Sequence, residues 1–145
     1  MKAVHKKIEI ALMGLVFLLV LLWAYTAFSK ISDIAAFKHQ LNNQSFSKKL
    51  AGLLLWAIPA VEITTALLLL FVKTRLIGLT LSLFLMLLFT GYIGLVLVNF
   101  YDHVPCSCGG VLKSLGWQAH FWFNVFFTIL SGVGIFLERR GLISV

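Results

Sequence analysis

Four apolar runs divide the chain: Ile8 to Phe28, Leu50 to Val72, Leu76 to Val98 and Trp117 to Leu137. Each exceeds the roughly 18 to 20 residues that a helix needs to cross a hydrocarbon layer. Apart from Glu9 at the edge of the first run, the one formal charge inside any of them is Glu62. Segments this long in lipid must satisfy every backbone group internally, which predicts helices. The expected architecture is an all-α membrane protein, a single four-helix transmembrane domain over 1–145 that leaves little chain for a soluble part.

The connections differ in character. Between the first two runs, Ser29 to Lys49 is too long for a simple turn, and Ile31, Ile34, Phe37 and Leu41 recur at helical spacing. Lys30, Asp33, Lys38 and His39 fill the remaining arc, a pattern that predicts a short amphipathic helix lying in the membrane interface. Asn42, Asn43, Gln44 and Ser45 then break it. Lys73-Thr74-Arg75 predicts a tight hairpin with basic anchors, and Asn99 to Gly116 forms a longer loop that holds both cysteines. The first apolar run follows a basic stretch, Lys2, His5, Lys6 and Lys7, as a secretory signal would. It is longer than the usual 7 to 15 residues of a signal core and has no clean Ala-x-Ala site before Ser29, so it is expected to stay as a helix.

Composition agrees with the pattern. Mean hydropathy is +1.01, and charged residues make up 12% where soluble domains approach about a quarter. The net charge of +7 would suit nucleic acid only if the bases were gathered into a patch, and they are scattered over the ends and connections. They suit lipid headgroups and topology instead. The termini and second connection hold seven, namely Lys2, Lys6, Lys7, Lys73, Arg75, Arg139 and Arg140. The other side holds five, Lys30, Lys38, Lys48, Lys49 and Lys113. The positive-inside rule then places both termini in the cytoplasm.

Polar residues inside the spans mark faces that pack on protein. Trp117, His120, Asn124, Thr128 and Ser131 form one stripe of the last helix, expected to face inward. Gly78, Ser82, Thr90 and Gly94 form a similar row in the third, suited to close helix contact. Glu62 lies near the middle of the second span, three residues after Pro59. Without a partner in hydrocarbon it would be neutral and turned inward. A polar track from Glu62 through His120, Asn124, Tyr92 and Tyr25 toward the cysteine loop would pass protons or hold a quinone headgroup; the plainer alternative is a packing hydrogen bond from Glu62 and a membrane-belt role for His120.

Cys106-Ser107-Cys108 follows Pro105 and precedes Gly109-Gly110. Two cysteines at i and i+2 seldom meet the preferred disulfide geometry, so a bond between them is strained and readily reduced. So short a ring also constrains the unfolded chain very little, which favours electron exchange over stapling. Binding of Cu(I) or zinc with His103 and His120, an inert disulfide, and unreactive thiols remain open on spacing alone.

Tyr25-Thr26-Ala27-Phe28-Ser29-Lys30-Ile31, Pro59-Ala60-Val61-Glu62 and Pro105-Cys106-Ser107-Cys108-Gly109-Gly110, in that order on four helices, resemble the MauE/DoxX family of redox-associated membrane proteins. The resemblance spans nearly the whole chain. It implies a four-helix protein of the bacterial inner membrane, with Cys106 and Cys108 as the redox pair and a periplasmic thioredoxin-like partner; the DoxX branch implies quinone-linked chemistry. The expected function is therefore a membrane component of extracytoplasmic thiol–disulfide redox chemistry, with Cys106, Cys108 and Glu62 as reacting groups. His120, Asn124, Tyr92 and Tyr25 are the candidate quinone contacts. The alternative is a non-catalytic accessory subunit that assembles or anchors a larger membrane complex, its cysteine loop structural or metal-binding.

Overall fold

The structure is a computed structural model that describes residues 2–43, 47–98 and 116–143. Among them are five helices: α1 (Lys2–Ser32), α2 (Ile34–Asn42), α3 (Lys48–Leu70), α4 (Arg75–Leu97) and α5 (Trp117–Ile143). Four of these, all but α2, are long and apolar enough to cross a membrane. The protein is a multi-pass membrane protein.

On α1 the buried positions are Leu12, Leu15, Val16, Leu19, Leu22, Trp23, Ala27 and Lys30, which recur every three or four residues and so lie on one face. The opposite face carries Met13, Phe17, Leu18 and Leu21, each about half exposed. A water-soluble protein would not leave such a surface bare, whereas lipid solvates it. Contacts run from α1 to α3, from α3 to α4, from α4 to α5 and from α5 back to α1, closing a ring. Its centre is apolar, built on Leu19, Trp23, Leu69 and Leu79.

Lipid tails are as apolar as leucine, so close packing and buried hydrogen bonds, rather than exclusion of water, hold such helices together. Both occur here. At Gly78 a Cβ would lie 2.9 Å from the backbone nitrogen of Leu69, so only glycine allows α3 and α4 to meet that closely. Trp23 Nε1 donates to Ser82 Oγ at 2.9 Å. Ser82 and Ser131 share a 3.0 Å hydroxyl contact, and Ser131 donates on to the Phe127 carbonyl at 3.0 Å. Each hydroxyl has one proton, so the chain runs from α1 through α4 to α5. At the hairpin end Arg75 Nη1 meets Glu138 Oε2 at 3.5 Å, tying the start of α4 to the last turns of α5.

The first connection departs from its predicted form. Helix α1 does not stop at Phe28 but runs through Ser32, and Asp33 caps α2 by accepting from Ala36 N at 3.0 Å. Ile31 is exposed at the end of α1, whereas Phe37 and Leu41 are buried in α2 against Ala51, Leu54 and Ile58 of α3. Lys30, expected on the polar arc of the amphipathic helix, is instead buried on the core face of α1.

Candidate functional site

Helix α1 delivers Lys30 because its core face has a helical period: from Trp23, the next positions on that face are Ala27 and Lys30. Lys30 Nζ donates to Glu62 Oε1 at 2.7 Å and to the Thr26 carbonyl at 3.3 Å. The ammonium also lies 5.9 Å from the centre of the Phe37 ring on α2, within reach of a cation–π attraction. Lys30 and Glu62 are 5% and 2% exposed, so the pair is shielded from solvent and from lipid. Glu62 sits on the inward face of α3 with Pro59, Thr65, Ala66 and Leu69, and Pro59 removes one backbone donor within the helix without ending it.

Glu62 therefore faces inward, as expected, and has a partner that the sequence did not single out, Lys30. Removing both charges from solvent is costly, so the pair persists only because geometry and hydrogen bonds compensate. Satisfaction is incomplete. The second carboxylate oxygen, Oε2, is buried and has no hydrogen-bond partner among the described residues.

The ion pair forms part of the wall of a cavity of about 420 Å³ among all five helices. His120 and Asn124, both buried on α5, and Tyr92 of α4 line it as well. Four of the residues singled out from sequence, Glu62, His120, Asn124 and Tyr92, are thus brought to one space. Tyr25 is not: it is 43% exposed and does not line the cavity. The remaining walls are apolar and aromatic, with Trp23, Phe89 and Phe123 prominent, and the Trp23 and Phe89 rings are 6.3 Å apart between centres. A space of this size with convergent polar groups at one part of its wall has the form of a small-molecule site. Its chemistry is hydrogen bonding and charge pairing among mostly apolar walls, where each polar contact counts for more than in bulk water.

Sequence patterning missed Lys30 and Trp23. The signal was present, since continuing the three-and-four spacing of α1 past Phe28 lands on Lys30. Cys106 and Cys108, with His103, lie outside the described residues. Among the described residues no group of three His, Cys, Asp or Glu could hold a metal ion.

Comparison with known proteins returns one family: the model of "Methylamine utilisation protein MauE" matches residues 8–137. No curated protein and no solved structure matches the chain.

Proposed function

Since this chain belongs to the MauE family, we propose that it is a membrane component of extracytoplasmic thiol–disulfide redox chemistry. Cys106 and Cys108 exchange electrons with a thioredoxin-fold partner. In that exchange a thiolate attacks one disulfide sulfur, a mixed disulfide forms as the first thiolate leaves, and a second thiolate resolves it. When the partner arrives as a dithiol, the pair leaves reduced and the partner oxidised. Restoring the Cys106–Cys108 disulfide then releases two electrons and two protons, which a membrane quinone takes up to become a hydroquinone. The family's description names methylamine utilisation, and an accessory membrane step in that process is the setting we propose. The membrane is the bacterial inner membrane, with both termini in the cytoplasm and the cysteine loop outside.

The observation that carries this reading is a matter of connectivity. The cysteine loop joins the end of α4 to the start of α5. The same parts of these helices supply Tyr92 and His120 to the cavity. In the sequence, the segment that carries Cys106 and Cys108 thus follows and precedes the helix ends that contribute to a site of small-molecule size, which supports a link between the two.

Trapping tests the proposal. In Cys106→Ser or Cys108→Ser the remaining thiol cannot be resolved from within, so one of the two variants should accumulate a mixed disulfide with a partner, seen as a reducible shift in mass on a gel. Absence of any such adduct from both variants, in cells where the protein is inserted, contradicts exchange. Full activity in a variant lacking both thiols would leave the second reading, an accessory subunit whose helices assemble a larger membrane complex.

A further inference from the structure

We propose that the cavity beside Lys30 and Glu62 binds a neutral amphiphile with a hydroxyl head, taken sideways from the hydrocarbon layer through a slot between α3 and α4.

The slot follows from which wall residues reach the surface. Of those lining the cavity, Val61 on α3 and Leu88 on α4 are exposed, at 36% and 53%, and the rest are buried or partly buried. Each lies thirteen residues beyond the start of its helix, Lys48 or Arg75, or about 20 Å at the helical rise of 1.5 Å per residue. Both edges of the mouth therefore sit well inside a hydrocarbon layer of about 30 Å. The two helices are in backbone contact at Gly78, while Val61 and Leu88, farther from the hairpin, border the opening between them. An occupant entering here comes from the lipid phase.

The head group follows from the polar part of the wall. Lys30 is already offset by Glu62 at 2.7 Å, so the pair has no net charge to spend on an ion. Glu62 Oε2 is the open valence: an acceptor, 98% of the residue buried, with no partner among the described residues. A buried acceptor left without a hydrogen bond is destabilising, and a ligand O–H removes that cost by donating to it. A phosphate or sulfate oxygen would instead meet the carboxylate as a like charge. The aromatic and aliphatic walls, Trp23, Met86, Phe89 and Phe123, accept the hydrocarbon part. A hydroquinone is one member of this class. Binding of a plain long-chain alcohol needs no redox step, however, so the inference is tested whether or not the cysteine pair cycles.

Trp23 is a built-in reporter because it lines the cavity and is otherwise fully buried. In the full chain carrying Trp56→Phe, Trp117→Phe and Trp122→Phe, reconstituted in phosphatidylcholine nanodiscs, Trp23 fluorescence is titrated with three bromine-bearing quenchers: dibromo-octadecanol, dibromo-octadecyl sulfate and dibromo-phosphatidylcholine. The alcohol should quench saturably, with an apparent affinity at least about tenfold above the sulfate, equivalent to about 1.4 kcal/mol. The phosphatidylcholine should quench only weakly and without saturation. Leu88→Phe, at a lipid-facing position that tolerates bulk, and separately Val61→Phe, should weaken or slow the alcohol's effect by narrowing the mouth. Equal quenching by all three probes would show nonspecific contact with lipid and overturn the inference, as would no quenching by the alcohol. Saturable quenching indifferent to both mouth variants would refute the lateral slot.

Discussion

Lys30 and Glu62 are two charges on neighbouring helices at a depth where either alone would be expensive. Their coupling gives a sharp expectation. Lys30→Met or Glu62→Gln leaves the other group without its partner, and each should lower stability by about 3 to 5 kcal/mol, the usual cost of breaking a buried pair from one side. Combining the two removes both charges at nearly constant volume and should recover most of that loss, because a neutral pair needs no compensation. Thermal unfolding of the reconstituted protein measures all three. Additive losses in the double variant would mean that the 2.7 Å contact contributes no coupling. At this scale the sequence was half legible. An acid in mid-span is conspicuous, and Glu62 was found. Its partner was not, because a lysine just past an apolar run has the same local context as an interfacial anchor. Glu138 escaped for a related reason: beside Arg139 and Arg140 it looks like a solvated end, and its burial depends on Arg75 across the hairpin, more than sixty residues away.

Among the elements, the long apolar runs were the most legible, since lipid allows an uninterrupted hydrophobic segment few other conformations. Observed and expected spans differ mainly where polar residues extend a helix past its apolar run. Helix α1 gains turns at both ends, and α5 continues from Leu137 to Ile143. Helix α2 was visible in the spacing of Ile34, Phe37 and Leu41, but Ile31 belongs to α1 because the Asp33 cap falls between them. The inward stripe of α5 holds at His120, Asn124 and Ser131, which are buried, and at Thr128, which meets Thr90 at 3.3 Å. Which glycine governs close approach was not legible from the row Gly78, Ser82, Thr90, Gly94. Gly78 faces the backbone of α3, whereas a Cβ at Gly94 would make an ordinary 3.5 Å contact with Phe121, and at Gly91 would meet nothing within 4 Å. Gly78→Ala should therefore destabilise the α3–α4 hairpin by about 1 to 3 kcal/mol, since backbone atoms cannot yield as a side-chain tip does. Gly91→Ala should be neutral or slightly stabilising, as alanine is the better helix former. Parallel melting curves check the contrast, and equal shifts in the two variants would contradict the close-contact account.

For the molecule as a whole, the four spans among the described residues put both termini on one side, and the count of basic residues is the ground for the proposed cytoplasmic placement. Discounting Lys30 and Arg75, which are ion-paired rather than free to anchor, removes one base from each side and leaves six against four. The margin is unchanged, so the proposed orientation survives the structural finding. It puts Cys106 and Cys108 in an oxidising compartment, where a strained pair can cycle against a partner. On the same orientation His120 and Tyr92, near the start of α5 and the end of α4, lie toward the extracytoplasmic side. The proposed redox function rests on the two thiols, whereas ligand binding in the cavity does not. The most direct measurement is a redox titration in intact cells: the loop is equilibrated with graded dithiol and disulfide buffers, then tagged with a membrane-impermeant maleimide of high mass. Tagging should reach both cysteines under reducing buffer without opening the membrane, and fall away together as a single two-electron transition toward oxidising buffer. Thiols that remain tagged across the whole range, or that react only after the membrane is opened, would contradict it.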